Sequence, residues 1–216
     1  MSETRISNNY KRIRASIPDD VLLIAVSKTR TVEEIAEAVA AGCKDFGENK
    51  AQELCSKYEV YPDLNWHFIG HLQKNKIKSL VGKVCLIHSI DSIDLAYETD
   101  KRAKAAGIVQ NVLIQVNAAG EKQKSGVSVD EARSLLKEIN KSCPNVKVKG
   151  FMQIAPETDD PEKIRVYFKQ VCDLFKEYDL DILSMGMSGD YTVAIEEGAN
   201  CIRIGSAIFG ERNYSK

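Results

Sequence analysis

Eight short apolar runs recur along this chain, separated by segments with helical spacing. They fall at residues 21–27, around 43–47, and at 66–70, 84–88, 112–117, 146–154, 182–185 and 201–205. Each has strand length and is followed by residues whose apolar positions repeat three and four apart. Strand alternating with helix builds a parallel sheet. Eight such units fit a closed (β/α)8 barrel, a TIM barrel, better than an open doubly wound sheet, which uses fewer strands. At 216 residues the chain is at the small end for such a barrel, so its loops must be short. No Pro/Gly/Ser-rich linker or shift in composition divides it, and residues 1–216 read as one domain.

Helix boundaries are also written locally. Thr31 and Glu34 form a capping box ahead of Val32, Ile35, Ala36 and Val39, and Gly42 supplies a stop. Ser128 and Glu131 repeat the device before Val129, Ala132, Leu135, Leu136 and Ile139. Asp160-Pro161 opens another helix, with Ile164, Phe168, Val171 and Phe175 on its apolar stripe. Residues 6–17 read as an extra N-terminal helix before the first strand.

Composition excludes several classes of function. Hydrophobic residues make up 44% and charged residues 28%, an ordinary globular balance. A formal net charge of −1 gives no nucleic-acid footprint. No apolar run reaches membrane-spanning length, and the polar start Met1-Ser2-Glu3-Thr4-Arg5 has no signal-peptide core, so a cytoplasmic protein is expected. The six cysteines lack a Cys-x-x-Cys spacing and have mostly aliphatic neighbours, which reads as small core residues in a reducing compartment. His67, His71 and His88 lack metal-helix spacing, and no metal site is expected.

In a barrel of this kind the site lies at the carboxyl ends of the strands, with phosphates near the loops after strands seven and eight. The first run, Val21-Leu22-Leu23-Ile24-Ala25-Val26-Ser27, ends on Lys28. A lysine at the end of a buried strand, partly desolvated, has its pKa lowered and its lone pair freed for Schiff-base chemistry with a carbonyl. Two small-residue turns follow the seventh and eighth runs, Ser184-Met185-Gly186-Met187-Ser188-Gly189-Asp190 and Arg203-Ile204-Gly205-Ser206. Ser188 is placed to cap the helix that begins at Gly189. Gly205 lets a phosphate approach the backbone, and Ser206 adds a hydroxyl at the start of the last helix. Alternation puts Arg203 on the face of Gly205, with Ile202 and Ile204 on the other. A barrel closes its first strand against its eighth, so these residues become neighbours. The combination points to pyridoxal 5′-phosphate. An arginine at the pyridine nitrogen donates a hydrogen bond and leaves the ring a weaker electron sink than a carboxylate would.

Taken singly, each feature has a plainer reading. A lysine at a strand end is commonly just a solvated end, a Gly-Ser pair a turn, and Ser188 a helix cap. Arg203 is equally suited to pair with a core carboxylate such as Glu48. Asn49, in Gly47-Glu48-Asn49, is either a cofactor contact or a turn former. His67 and His71 read as structural or exposed histidines. Gln73, Lys74, Asn75, Lys76 and Lys78 read as a solvated helix start, and Lys122 and Lys124 as solvated loop lysines.

Ala25-Val26-Ser27-Lys28-Thr29, Phe46-Gly47-Glu48-Asn49, Trp66-His67-Phe68-Ile69-Gly70, Leu72-Gln73-Lys74-Asn75-Lys76, Ser184-Met185-Gly186-Met187-Ser188 and Arg203-Ile204-Gly205-Ser206-Ala207-Ile208-Phe209-Gly210 together resemble the pyridoxal phosphate homeostasis family. The motifs span nearly the whole chain in the family's order. The resemblance implies a barrel similar to the N-terminal domain of alanine racemase, with cofactor on Lys28, phosphate at Ser188, Gly205 and Ser206, and ring nitrogen near Arg203. Phe151 after Gly150, and Ser206 where many members carry Thr, are small departures. It also implies a cofactor-binding regulator of vitamin B6 balance without established catalysis, with PLP-dependent apoenzymes as possible partners. The alternative is an amino-acid racemase. That enzyme needs a second base, a tyrosine associated with a C-terminal β domain, and the few residues after the last helix leave no room for one here. Tyr191 alone among the tyrosines lies near a mouth loop. A monomeric carrier is the expectation.

Overall fold

The computed structural model describes residues 4–121 and 123–211, so Lys122 lies outside the described residues. Its strands are β1 (Leu22–Val26), β2 (Asp45–Glu48), β3 (Asn65–Phe68), β4 (Leu86–Ile90), β5 (Gln110–Val116), β6 (Val146–Gln153), β7 (Ile182–Ser184) and β8 (Cys201–Ile204). They close in sequence order into a barrel, every neighbour parallel. This is the (β/α)8 architecture expected.

Boundaries shift by one or two residues from the sequence reading. The second strand starts at Asp45 because Gly42, at φ 97°, turns the chain and the Cys43 N–H still bonds back to the Ala38 carbonyl. The fourth runs from Leu86 to Ile90, later than expected: Lys83 and Val84 close a turn on Leu80, while buried Ser89 continues the strand.

The helices follow from their caps. α1 (Arg5–Ala15) precedes β1, and its Asn9 side chain donates to the Ile208 carbonyl beside the last strand. In α2 (Val32–Ala40) and α6 (Val129–Ser142) both capping boxes form, Thr31 with Glu34 and Ser128 with Glu131. The remaining helices are α3 (Ala51–Val60), α4 (Ile77–Leu80), α5 (Ile93–Ala106), α7 (Arg165–Lys176), α8 (Tyr191–Glu196) and α9 (Ser206–Phe209). The helix opened by Asp160-Pro161 begins as a 3-10 turn, Pro161–Ile164, before α7.

Closing the sheet divides the core in two. Ala25, Phe46, Trp66, Phe68, Ile87, Ile114, Phe151, Leu183, Ile202 and Ile204 pack with the helices in one large cluster. The alternate positions Leu86, Leu113 and Met152 form a separate small cluster inside the barrel. The same inner face carries Asp45, His67, His88, Ser184 and Arg203, each next in sequence to at least one residue of the outer cluster.

Gly150 on β6 leaves no room for a side chain beside β7. At a register shift against β5 it has φ 153°, and a Cβ there would stand 1.7 Å from the Ile182 carbonyl oxygen. That oxygen belongs to backbone and has little freedom to yield. Gly150→Ala is expected to destabilise the fold by about 3 kcal/mol, read as a lower urea midpoint with an unchanged slope. An unchanged midpoint would count against this packing.

Candidate functional site

The register between β1 and β8 pairs Leu22 with Cys201, Leu23 with Ile202, Ile24 with Arg203 and Ala25 with Ile204. The turns that leave these two strands therefore open at the same mouth. A cleft of about 420 Å³ lies there, and its walls include Lys28, Asn49, Ser188, Arg203, Gly205 and Ser206. All six residues singled out in the sequence line this one space. Arg30 adds a third cation against a single carboxylate, Glu157, so the lining favours an anion. Val26, Ile69, Ile154 and Met187 supply apolar wall.

Lys28 is not the last strand residue, as the sequence suggested. β1 ends at Val26, and Lys28 sits in a turn closed by Arg30 N–H donating to the Ser27 carbonyl at 2.9 Å. Thr29 has φ 66°, unusual for a β-branched side chain. A buried ion cluster holds that turn from behind. The Lys57 ammonium, from α3, donates to the Ser27 carbonyl at 2.7 Å, to Glu48 at 2.6 Å and to Glu53 at 2.7 Å. Glu53 in turn accepts from the Thr29 N–H at 2.6 Å, and Glu48 from the Ser27 hydroxyl at 2.7 Å. Burial pushes the Glu48 carboxyl up from its ordinary value, and Lys57 offsets part of that. This clamp ties both sides of Lys28 to α3.

On the opposite wall, Ser188 does not cap the helix that follows it. α8 starts later, at Tyr191, and Asp190 uses its carboxylate to accept from the Met187 N–H at 2.5 Å. The Ser188 hydroxyl turns across the mouth instead and accepts from the N–H groups of Gly205 and Ala207 at 3.3 and 3.4 Å. Both contacts are long for a hydrogen bond. They bring the two small-residue turns into one cradle.

The residues present fit a phosphorylated pyridine aldehyde. A Cβ on Gly205 would meet nothing nearer than Val26 at 3.5 Å, so protein packing does not require glycine; its missing side chain leaves cleft space free. Asn49 Oδ1 is a buried cleft-wall oxygen with no protein partner. An amine, a guanidinium, two hydroxyls and backbone donors around an apolar wall match the parts of such a ligand.

Arg203 is buried and does not pair with Glu48. It donates to the Ser184 hydroxyl at 2.6 Å and to the Gln153 carbonyl at 2.8 Å, inside the barrel. Behind it, His88 Nδ1 lies 3.2 Å from Ser184 Oγ, and its Nε2 lies 3.1 Å from His67 Nδ1. His67 is thus structural and buried, while His71 is exposed and bonded to Ser125 Oγ at 2.9 Å. Lys74 and Lys78 are solvated as read, but Lys124 bridges the Ala155 carbonyl at 3.0 Å and Glu121 at 2.7 Å. Sequence reasoning missed Lys57 as the partner of Glu48, and the buried roles of His88 and Ser184. His88 and Ser184 had one signal, a polar residue within an apolar run.

The class this fold and mouth define is a (β/α)8 barrel with an open cleft at its mouth, a lysine on the first βα turn and a small-residue cradle on the last two. Residues 1–213 match the family described as alanine racemase, N-terminal domain. A pyridoxal phosphate homeostasis protein of Aquifex aeolicus is 49% identical over 200 residues, covering 89% of this chain and 87% of that protein. The Homo sapiens protein of that name is 35% identical over 213 residues, covering 90% and 78%. PipY of Synechococcus elongatus, solved with PLP bound, superposes with a TM-score of 0.87 at 35% identity, over 95% of this chain and all of that one. An alanine racemase of Clostridium difficile shares the fold, with a TM-score of 0.82 at 16% identity, over 98% of this chain and 58% of that one. The chain belongs to the pyridoxal phosphate homeostasis family.

The clamp behind Lys28 has a measurable consequence. Lys57→Met leaves Glu48 buried without its counter-ion and is expected to cost about 3–5 kcal/mol of stability. The paired change Lys57→Met with Glu48→Gln should recover much of that in urea melts. A single variant as stable as the parent would remove the clamp from this account.

Proposed function

We propose that the chain binds pyridoxal 5′-phosphate at this mouth, covalently through Lys28, and serves vitamin B6 homeostasis as a carrier rather than as an enzyme. One observation carries the reading: Lys28, Arg203, Ser188, Gly205 and Ser206, from opposite ends of the sequence, line one cleft. The relatives named above, and PLP in the solved PipY structure, support it. When bound, the group supplies an electrophilic aldehyde and a conjugated electron sink.

This chain's residues have distinct tasks. Lys28 presents the amine from its clamped turn. Ser206, Ser188 and the backbone at Gly205 would hold the phosphate, and Asn49 lends an acceptor at the wall. Arg203, on the cleft wall, would offer the pyridine nitrogen a donor, and a donor there would limit how far the ring draws electrons. A racemase needs a second base across the cleft from the lysine. Tyr191, which follows the Ser188 turn, packs against the outer core and is not among the cleft-lining residues. The same reading takes residues 1–216 as one barrel domain acting as a monomer in the cytoplasm, with PLP-dependent apoenzymes as recipients. Among the described residues no helix is long and apolar enough to cross a membrane, and no cluster of His, Cys, Asp or Glu suits a metal.

Borohydride treatment of the PLP-loaded protein, followed by peptide mapping, should place the pyridoxyl group on Lys28, and Lys28→Ala should lose the visible absorption band. A label found only on another lysine would refute the assignment. Non-catalysis has its own test, in which the loaded protein is incubated with L-amino acids in D2O and Cα–H exchange is followed by NMR. Exchange should be far slower than about 1 s⁻¹, and exchange of any amino acid at enzymatic rates would favour a racemase.

A further inference from the structure

The inside of the barrel holds a continuous line of polar side chains from its floor to the cleft. Asp45 Oδ1 lies 3.3 Å from His67 Nε2, His67 Nδ1 lies 3.1 Å from His88 Nε2, and His88 Nδ1 lies 3.2 Å from Ser184 Oγ. Ser184 Oγ then accepts from Arg203 at 2.6 Å. His67, His88, Ser184 and Arg203 are all buried, and Asp45 stands at the partly open floor end, where it also accepts from the Asn65 side chain at 3.0 Å.

The two ends dictate the direction of every bond between them. A guanidinium can only donate, so Ser184 Oγ is an acceptor toward Arg203 and keeps its own proton to give. At the floor, His67 Nε2 faces two acceptors: the Asp45 carboxylate, and the Cys85 sulfur at 3.4 Å, whose proton is committed to the Trp66 carbonyl at 3.2 Å. Nε2 of His67 therefore carries a hydrogen. In a neutral His67, Nδ1 must then accept, so His88 donates from Nε2 and accepts at Nδ1 from Ser184. All the donors point from the mouth to the floor.

A proton added to His67 reverses part of this line. His67 then donates at both nitrogens, so His88 Nε2 must become the acceptor and its hydrogen moves to Nδ1. His88 now donates to Ser184, whose oxygen receives two donors and whose hydroxyl proton must find another acceptor. We propose that Asp45, His67, His88 and Ser184 are positioning residues for Arg203, forming a relay that runs from guanidinium to carboxylate when both imidazoles are neutral and reverses at His88 when His67 takes up a proton. Its consequence for the cofactor rests on the reading that Arg203 faces the pyridine.

The charged and titratable groups around the line agree with this assignment of protons. His88 is held neutral by complete burial and by the nearby His67 and Arg203, which keep its pKa well below the usual histidine value. Of the thiols beside the line, Cys201 on β8, next to Ser184, is pushed up by burial to about 11 and stays protonated, and Cys85 before β4, next to His67, gives its proton to the Trp66 carbonyl. Asp190 is the carboxylate that acts on the Arg203 end. His67 is the member of the line with a carboxylate beside it, Asp45 at 3.3 Å.

Long-range ¹H–¹⁵N correlation on histidine-labelled, cofactor-free protein reads the tautomers directly, with exposed His71 as internal reference. At neutral pH both His67 and His88 should carry hydrogen on Nε2 alone. On acidification His67 should become doubly protonated while His88 stays neutral and its signal moves to the Nδ1–H pattern. His88 found with Nδ1–H at neutral pH, or unchanged while His67 titrates, would overturn the relay. The reach to the mouth is read on the loaded protein, where the visible band should shift with the pH at which His67 titrates. His67→Gln should lose that shift, and a shift that persists in the variant would overturn the coupling. Absence of a visible band in the wild type would refute PLP binding while leaving the tautomer result standing.

Discussion

Closure of β8 against β1 is the constraint on which the remaining features depend. Without the pairing of Ile24 with Arg203 and Ala25 with Ile204, Lys28 and the Ser188–Ser206 cradle would sit at opposite ends of an open sheet. The added helix α1 reinforces the seam. Its Asn9 and Arg5 side chains donate to the carbonyls of Ile208 and Phe209, so the segment before the first strand is fastened to the one after the last. Arg30, one turn beyond Lys28, reaches the Gly210 carbonyl at 2.5 Å and lies over the Phe209 ring. Three side chains, Asn9, Arg5 and Arg30, thus hold the seam beside the cleft.

A closed barrel must also fill its inside, and this one fills it unevenly. Leu86, Leu113 and Met152 make a small apolar cluster, while buried His67, His88, Ser184 and Arg203 share the inner face with it. Burying such groups is costly unless each finds a partner, since an unmet donor or acceptor loses its water for nothing in return. Here the partners are one another. A fully satisfied polar line is also stiff, because shifting any member breaks the bonds on both sides of it. Stiffness at that place is useful to a site whose guanidinium must stay aimed at the mouth.

Much of this was legible before the structure was in view, and the reasons differ from element to element. The capping boxes at Thr31 and Ser128 are local, needing only residues three apart, and both form as read. The eight apolar runs gave the barrel, and barrel closure gave the neighbourhood of Lys28 and Arg203. Less legible were features set by side-chain direction across elements. Ser188 looks like a cap for the helix after it, yet its hydroxyl bonds to the backbone beyond β8, which no local pattern records. Glu48 was weighed as a partner for Arg203, but it lies on the outer face of β2, toward α3, where Lys57 claims it. His88 sits on the inner face of β4, and only the register of the closed sheet brings it between His67 and Ser184.

These separations have a chemical logic. The two buried cations near the mouth stand on opposite sides of the sheet, Lys57 outside it and Arg203 inside. Lys57 is spent on Ser27, Glu48 and Glu53, and so acts on the Lys28 turn through the backbone rather than as a charge in the cleft. Arg203 gives two donors to Ser184 and the Gln153 carbonyl, and a guanidinium has five. Its charge therefore stays at the cleft wall while its position is set from behind. A lysine on a strained, clamped turn and a fixed donor facing it make a site well organised to hold a ligand.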